Sequence, residues 1–571
     1  MRCCCKTPRQ RADQPHVYFS QERAPCPVCG ESREARVVLV GDAVERLWHC
    51  PECGPLRERL SGDAEAYVEA FLERGRPSNQ DQHLFKHTTA TCAQCLALVP
   101  AQVVFRQGRV YLDKTCPTCG PSGALVSEDA GYYVKAYSFA RAGSQPLAVA
   151  RSASRGCPED CGLCTDHEQH TCLPVVEITD HCDLACPVCM VDNRQTFHLA
   201  PEAFARIVDS LVAAEGQLES LALSGGEPTC HPDLLEIIDR ADRPEIGRIV
   251  LLTNGLRLAQ DRQLARALKQ RGVYVSLQLD GFTAETYQRL RGRDLLSQKE
   301  AALAVLEELA IPTQLIFVAA RGVNEDQLGA VVELLLSKPH ILSLNVQPLS
   351  LMGRGGRRFD ADPLDRLTIP GVLRAVEQQS GGKLRADDFF PLPCPHPHCV
   401  ALTFMLRLED GDYLPLARFA QVERYGGLLR NSATLPALPE IEQAFKEISY
   451  DLLAREDEIP RVGEIRAAMR QALKVMFPER PLDHHEAIRA GERLVKSVFV
   501  HHYMDPHNFD LERLRKCCHH YPRPDGLLVP MCSFNHFHRN APDAREAGSR
   551  PGSAGRARTT NPARRPGQES G

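Results

Sequence analysis

The 24 cysteines of this 571-residue chain, and the spacings between them, restrict its fold more than any other feature. Their share is well below the roughly 8–10% typical of disulfide scaffolds, and a chain of this length does not need disulfides to build a core. The first 19 residues lack the apolar run of a secretory signal, and no stretch of about 18 apolar residues follows. We therefore expect a reducing, cytoplasmic setting in which clustered cysteines bind metals.

Two pairs of Cys-x2-Cys knuckles lie in the first 120 residues. The first pair encloses a strand-like stretch, Arg36 to Val40, and the second encloses a predicted hairpin over residues 101–114 that turns at Arg106-Gln107-Gly108. Four thiolates at this spacing bind zinc, or a rubredoxin-like iron, and leave no open coordination position, so we expect both sites to be structural. Their ligands are Cys26, Cys29, Cys50 and Cys53 in the first, and Cys92, Cys95, Cys116 and Cys119 in the second.

The cysteine density is highest between residues 157 and 189, where seven cysteines fall within 33 residues. The first four form a complete ligand set for an auxiliary 4Fe-4S cluster, whereas the last three lack the fourth cysteine of such a set. Three thiolates can hold three irons of such a cluster and leave the fourth iron free for a substrate or cofactor. The alternative is a zinc site completed by Asp180 or His181. The complete set is Cys157, Cys161, Cys164 and Cys172, and the open set is Cys182, Cys186 and Cys189.

From residue 173 the chain alternates short apolar strands with amphipathic helices. Six β/α units in about 175 residues predict an α/β fold, a partial parallel (β/α)6 barrel, whose active site lies at the C-terminal ends of the strands. The predicted strands are Val175 to Thr179, Ser220 to Leu223, Arg248 to Leu252, Val273 to Leu279, Thr313 to Val318 and Leu342 to Gln347.

Candidate ligand-binding residues fall at these strand ends. Paired glycines after the second strand let the backbone approach a ligand closely, and Glu227 offers an acceptor, for example for an ammonium group. Further polar residues end the third and fourth strands. The candidates are Ser224, Gly225, Gly226, Glu227, Asn254, Ser276 and Gln278.

The open cysteine set, followed by the Gly-Gly-Glu strand end, resembles the radical S-adenosylmethionine (radical SAM) superfamily. This resemblance implies that a 4Fe-4S cluster on the open set binds S-adenosylmethionine at its free iron and reductively cleaves it to a 5'-deoxyadenosyl radical, which abstracts hydrogen from an unactivated C–H bond of a substrate. It also implies an electron donor such as ferredoxin or flavodoxin. The implied cofactor contacts are Ser224 to Glu227 for the methionine moiety, and Asn254, Ser276, Gln278 and Val318 for the remainder.

Further motifs resemble the group that contains tetraether synthase and the archaeal enzyme assigned to methylating a pterin precursor. The match spans roughly residues 84–540 and leaves out the first ribbon. It implies either radical joining of lipid alkyl chains, which needs an apolar tunnel and peripheral membrane contact, or methylation of a small heterocycle such as a pterin. The motifs are His87 to Cys92, Lys114 to Pro117, Gly156 to Cys164, His167 to Cys172, Pro393 to Cys399, Arg515 to Gly526 and Pro530 to Cys532.

The same resemblance gives the C-terminal cysteines a role as ligands of a second auxiliary Fe-S cluster on the open side of the barrel, with a zinc clip or free thiols as alternatives. Nearby, the amphipathic stretch Arg489 to Val500 predicts a core-facing helix. The proposed cluster ligands are Cys394, Cys399 and Cys532 with one of Cys517 or Cys518.

The charge balance, 68 basic against 73 acidic residues, argues against a broad nucleic-acid surface. A non-catalytic metal-binding scaffold is the alternative to an enzyme, but a scaffold needs no open iron. The predicted order is a zinc-ribbon-like module over 1–80, a rubredoxin-like module over 84–150, an auxiliary-cluster segment over 151–172, the radical SAM barrel over 173–350, a C-terminal cluster domain over 351–540 and a disordered tail over 541–571.

Overall fold

The structure, a computed structural model, describes residues 11–75, 82–154, 156–191, 193, 195–353, 355–492 and 494–539. The predicted disordered tail lies outside these residues, as do the three cysteines at positions 3–5.

The N-terminal region forms two four-stranded antiparallel sheets, each with its strands in sequence order. Each sheet is followed by one helix, and the two modules share a hydrophobic core in which Phe19 and Phe71 pack against Phe85 and Tyr137. The first module contains β1 (Val17–Pro25), β2 (Ser32–Val40), β3 (Ala43–Cys50), β4 (Gly54–Ser61) and α1 (Ala64–Glu73), and the second contains β5 (Gln82–Thr91), β6 (Leu98–Arg106), β7 (Arg109–Cys116), β8 (Gly120–Ser127) and α2 (Ala130–Ala136).

The predicted hairpin of the second module is confirmed. Strands β6 and β7 pair through Arg106 and Arg109, and the two residues between them, Gln107 and Gly108, have φ angles of +49° and +75°. Two consecutive left-handed residues match a tight hairpin turn whose twist fits that of the flanking strands.

The predicted barrel is present, and every predicted strand end lies within two residues of the observed one. Six strands pair in parallel with their sequence neighbours, and continuous apolar stretches such as Ile249–Thr253 are covered by helices. The strands are β9 (Leu173–Thr179), β10 (Leu221–Gly225), β11 (Ile249–Thr253), β12 (Tyr274–Gln278), β13 (Thr313–Ala319) and β14 (Ile341–Pro348), and the helices are α3 (Pro201–Glu215), α4 (Leu234–Ala241), α5 (Leu256–Gln260), α6 (Arg262–Gln270), α7 (Ala284–Arg291), α8 (Leu296–Glu308) and α9 (Leu328–Ser337).

The C-terminal region extends the barrel sheet at both edges rather than only packing on its open side. At one edge a strand runs parallel to β14 and is followed by an antiparallel strand, and at the other a strand runs parallel to β9. The elements are α10 (Gly355–Arg358), α11 (Ile369–Gln379), β15 (Phe390–Pro391), β16 (Val400–Arg407), β17 (Tyr413–Pro415), α12 (Val422–Tyr425), α13 (Pro439–Ala454), α14 (Val462–Met476), α15 (His484–Glu492), β18 (Val495–His501), α16 (Leu511–Arg515), β19 (His519–Pro522), β20 (Leu528–Pro530) and α17 (Met531–Ser533), followed by a π-helical turn, Phe534–His538.

The helix predicted over Arg489 to Val500 is wrong in its second half. Helix α15 ends at Glu492, and Val495–His501 is the strand β18, which lies between β14 and β16. The β-branched residues Val495, Val498 and Val500 suit a strand buried on both faces, and this preference outweighs the helical spacing of the apolar residues.

No helix in the described part of the chain combines the length and apolar composition needed to cross a membrane.

Candidate active site

The three-cysteine loop follows β9 at the C-terminal rim of the barrel. Cys186 is buried against Leu256 and Tyr287, whereas Cys182 and Cys189 are partly exposed. Asp180, offered above as an alternative zinc ligand, instead accepts the backbone N–H groups of Thr196 and Phe197 at 2.7 and 2.9 Å and so fixes the base of the loop. In the described part of the chain the three sulfurs do not all lie within 4.8 Å of one another, unlike the four sulfurs of each knuckle site.

The paired glycines hold this loop against the end of β10. A Cβ atom on Gly225, whose φ is +142°, would lie 2.0 Å from the carbonyl oxygen of Thr179, and one on Gly226 would lie 2.2 Å from that of His181. The N–H groups of Gly226 and Glu227 donate to these same two carbonyls at 2.7 Å. The glycines are therefore required by the close approach of two backbones immediately before Cys182.

Gly226→Ala is expected to push the cysteine loop away from the rim. Because the clashing atom is a backbone carbonyl, relief requires the chain itself to move, and we expect about a tenfold or greater loss of 5'-deoxyadenosine formation from S-adenosylmethionine. The measurement is product formation by anaerobically reduced protein, together with its iron content. Gly463→Ala, at a helical position with open space around it, is the matched control, and equal losses in both variants would contradict the steric account.

Glu227 does not present a free carboxylate at the rim. It is buried, and its oxygens accept the hydroxyls of Thr229 and Thr253 at 2.7 Å each and the backbone N–H of Asn254 at 2.7 Å. Burial raises the pKa of Glu227, and these hydrogen bonds oppose the rise. The side chain thus joins the ends of β10 and β11, and its role as the acceptor for an ammonium group stays a prediction.

Two buried cations that the sequence did not single out organise the remaining strand ends. The Lys299 ammonium donates to the carbonyl oxygens of Asn254 and Gln278 at 2.5 and 2.8 Å, and burial lowers its pKa to about 8. Arg291 forms a two-point ion pair with Asp280 at 2.6 and 2.8 Å and lies beside the Cys186 thiol. A lysine buried within the otherwise apolar inner face of α8 was the available signal.

The other predicted cofactor contacts lie at different distances from the rim, some at the strand ends and one inside the barrel wall. The Asn254 amide donates to Asp183 of the cysteine loop at 2.6 Å, and the backbone N–H of Val318 donates to Asp280 at 3.1 Å. Ser276 is fully buried two residues below Gln278 and donates to Gln314 at 2.8 Å. Its position therefore does not support the predicted cofactor contact.

The two knuckle sites have the geometry of mononuclear tetrahedral centres. Each set of four sulfurs lies within 4.8 Å, with 3.8 Å between Cys29 and Cys50 and 3.7 Å between Cys95 and Cys116. A tetrahedron of thiolates about 2.3 Å from a central ion has edges of about 3.8 Å. The residues therefore fit the zinc or iron ion that the sequence predicted.

Cys172 does not join the cysteines that precede it, which corrects the predicted auxiliary set. Its backbone N–H donates to the carbonyl of Cys518 at 2.9 Å, because β9 begins beside β19, and its sulfur lies within 4.8 Å of those of Cys394 and Cys518. The Cα atoms of Cys172 and Cys394 are 7.7 Å apart, beyond the range of about 4.4–6.8 Å usual for a disulfide, so a shared metal or cluster suits these sulfurs better.

Apart from Cys230, the cysteines not yet placed line two small cavities, the second of which also includes Cys518. Cys157, Cys161 and Cys164 line one together with Arg515. The other is lined by Cys399, Cys517, Cys518 and Cys532. Cys518 thus borders both C-terminal groups, while Cys394 lies with Cys172.

A parallel barrel that carries a three-cysteine loop and a Gly-Gly-Glu turn on adjacent strand ends defines the class of radical SAM proteins. Residues 176–335 match the family model described as the radical SAM superfamily, and residues 84–128 match the HMPTM N-terminal zinc ribbon domain. The chain therefore carries a radical SAM domain, preceded by a zinc ribbon domain.

Among curated relatives, the chain is 27% identical to the 7,8-dihydro-6-hydroxymethylpterin dimethyltransferase of Methanocaldococcus jannaschii, over 80% of this chain and 94% of that protein. It is 32% identical to the GTP 3',8-cyclase of Pelotomaculum thermopropionicum, over 36% of this chain and 66% of that protein. Among solved structures, SuiB of Streptococcus suis matches with a TM-score of 0.31 and 16% sequence identity, and the match covers 37% of this chain and 46% of SuiB. A radical SAM methyltransferase from Sphaerobacter thermophilus matches with a TM-score of 0.26 and 14% sequence identity, and that match covers 55% of this chain and 78% of the methyltransferase. TM-scores this low do not support an inference about function.

Proposed function

We propose that the protein abstracts hydrogen from a carbon of a small, polar heterocycle of the pterin type during its methylation. The observation that carries this proposal is the cavity inside the barrel. It has a volume of about 170 Å³ and is lined by the polar or charged side chains of Glu219, Arg248, Gln314, Asn345 and Glu492, by the cysteines Cys172, Cys394 and Cys518, and by apolar strand residues. Small-molecule sites commonly combine an apolar lining with a few such orienting groups.

The size and lining of this cavity favour a heterocycle over lipid chains. An apolar cavity of about 150 Å³ holds a single benzene ring. A space of similar size suits a small ring system, whereas the coupling of long alkyl chains requires an extended apolar tunnel. Two charged groups, Arg248 and Glu492, form an ion pair in its wall, which would leave an alkyl chain against a polar surface.

The cavity and the cysteine loop are close enough to act together. Leu252 lines the cavity from β11, and Asn254, two residues further on, donates to the cysteine loop. Two residues of a strand span about 7 Å. The end of the cavity at Leu252 therefore lies about 7 Å below the rim, and the cavity opens toward a cofactor bound there.

The residues at the rim are suited to the 4Fe-4S cluster and the S-adenosylmethionine that radical SAM enzymes bind. Cys182, Cys186 and Cys189 would hold a 4Fe-4S cluster, and the backbone of Gly225 and Gly226 would face S-adenosylmethionine. When bound, these groups supply one-electron cleavage of the cofactor and hydrogen abstraction from the substrate. The chain's own contribution is to fix the loop, exclude water and orient the substrate.

The cysteine groups away from the rim are proposed as auxiliary sites. Cys157, Cys161 and Cys164, and the two groups that share Cys518, would hold one or two further Fe-S clusters, and the ribbons would hold zinc or iron. A small electron donor such as ferredoxin or flavodoxin would reduce the rim cluster. These metals are consistent with the reducing cytoplasmic setting expected from cysteine usage.

The proposal is tested with anaerobically reconstituted full-length protein, S-adenosylmethionine, dithionite and 7,8-dihydro-6-hydroxymethylpterin deuterated at its carbon positions. We expect deuterium in the 5'-deoxyadenosine, formed from one molecule of S-adenosylmethionine. For each methyl group added, a second molecule of S-adenosylmethionine would be the methyl donor and dithionite would supply the two electrons, so the pterin product should be heavier by methyl groups. Both products are read by mass spectrometry. Deuterium transfer from a long-chain lipid, with none from the pterin, would refute the heterocycle proposal.

A further inference from the structure

The barrel cavity has a polar end, at the amino-terminal ends of the strands and away from the cysteine loop. There Arg248 donates to the Ser220 hydroxyl at 2.6 Å and forms an ion pair with Glu492 at the end of α15. The Arg248 guanidinium also lies 5.5 Å from the centre of the Tyr274 ring. These contacts fix Arg248, and through it one oxygen of Glu492, in the cavity wall.

Two acceptors in the cavity wall are at most partly satisfied by the described residues. They are Oε2 of the Glu492 carboxylate, which has the Tyr274 hydroxyl beside it, and, further along the barrel within β14, Oδ1 of Asn345. Buried acceptors are rarely left unpaired, because the loss of their hydrogen bonds to water is then not compensated. Their positions call for a ligand that brings N–H donors.

Glu219 adds a second carboxyl group at the same end of the cavity. One of its oxygens accepts the Thr434 hydroxyl at 3.2 Å, and the residue lines the cavity beside Ser220. Burial raises the pKa of this carboxyl. The amino-terminal end of the cavity therefore carries two carboxyl groups that both interact with Arg248.

We propose that Glu219 and Glu492 bind the N–H edge of a 2-amino-4-oxopyrimidine ring. Pterins and guanine share this edge, whose amino group and neighbouring ring N–H are adjacent donors suited to carboxylate acceptors. This inference rests on the proposed function and assigns its specificity for the heterocycle to these two side chains. With that edge held at the amino-terminal end, the opposite edge of the heterocycle would point toward the rim.

The test is anaerobic equilibrium dialysis of reconstituted full-length protein with three probes. They are 6-hydroxymethylpterin, 6-hydroxymethyllumazine, in which a carbonyl replaces the 2-amino group, and guanosine. The wild type is expected to bind one or both amino heterocycles about tenfold to a hundredfold more tightly than the lumazine, and the tighter of the two identifies the source of the edge.

Glu492→Gln and Glu219→Gln should each reduce this preference toward unity. Two variants are needed because Glu492→Gln also weakens the pair with Arg248, whereas Glu219→Gln does not touch it. Glu486→Gln, on the same helix in an exposed pair with Arg480, is the matched control and should keep the wild-type preference. Iron content and apparent melting temperature verify that each variant is folded and loaded.

The outcomes separate this inference from the proposed function. Deuterium transfer from the pterin with the preference intact in both variants would overturn the inference and leave the proposed function standing. Equal affinity of the wild type for the pterin and the lumazine would do the same. Absence of both pterin binding and pterin-dependent deuterium transfer in the wild type would overturn the function and the inference together.

Discussion

Replacing Cys182, Cys186 or Cys189 with alanine is expected to abolish formation of 5'-deoxyadenosine from S-adenosylmethionine by the anaerobically reduced protein. Each thiolate would hold one iron of the rim cluster. Because the loop supplies only three ligands, loss of one would leave a second iron without a protein ligand. The measurement is 5'-deoxyadenosine per protein, with iron counted on the same samples. We expect the iron content to fall by about one cluster while the ribbon metals remain.

Cys230→Ala is the matched control, because this partly exposed thiol follows the Gly-Gly-Glu turn but lies outside every ligand set. It should retain wild-type cleavage. If cleavage persisted in a variant lacking all three loop cysteines, the radical site would have to lie elsewhere. Cys157, Cys161 and Cys164, which have the same spacing, would then be the next set to test.

The barrel and its rim could be predicted from the sequence because their determinants are local. Each strand is a short apolar run, each helix has its own apolar face, and the glycines and cysteines immediately follow strands. Parallel pairing of sequence neighbours then places the strand ends at one rim without further information. The hydrogen bonds of Glu227 could not be predicted in the same way, since their donors, Thr253 and Asn254, lie at the end of the neighbouring strand.

The metal assignments failed where ligands come from distant parts of the chain. Cys172 and Cys394 are 222 residues apart, and what brings Cys172 beside Cys518 is the pairing of β19 with β9. Nothing in the spacing around Cys172 encodes that pairing, whereas Cys157, Cys161 and Cys164 are near enough in sequence to suggest a false fourth ligand. The strand β18 was missed for a related reason, because its pairing with β14 and β16 outweighs a local helical pattern.

Glu512→Ala is expected to destabilise the junction between the ribbon modules and the C-terminal region by about 3–5 kcal/mol. The Glu512 carboxylate is buried and forms an ion pair with Lys86 of β5. It also accepts the backbone N–H of Gln21 in β1 at 2.7 Å and the Tyr137 hydroxyl at 2.8 Å, and it lies 3.1 Å from Nε2 of His396. The substitution would leave the buried Lys86 ammonium without its counter-charge.

We expect Glu512→Ala to loosen the neighbouring strands as well as to lower the stability of the whole protein. Hydrogen–deuterium exchange of the holoenzyme should quicken in β1 and β5, because both strands lose a contact with α16, and the urea midpoint should fall. Burial alone would raise the pKa of Glu512, but the Lys86 ammonium and the His396 hydrogen bond hold it well below its usual range. The contribution of this carboxylate is therefore fully present above about pH 4.3 and is lost as the pH falls below that value.

Glu308→Ala is the control for loss of a carboxylate as such, since its pair with Arg262 is exposed to solvent on both sides and should contribute no more than about 1 kcal/mol. Glu512→Gln distinguishes charge from packing, because it keeps the shape and one acceptor but leaves Lys86 unpaired. It should therefore lose most of what Glu512→Ala loses. If Glu512→Gln matched the wild type in both exchange and urea midpoint, packing rather than the buried ion pair would hold the ribbons to the barrel.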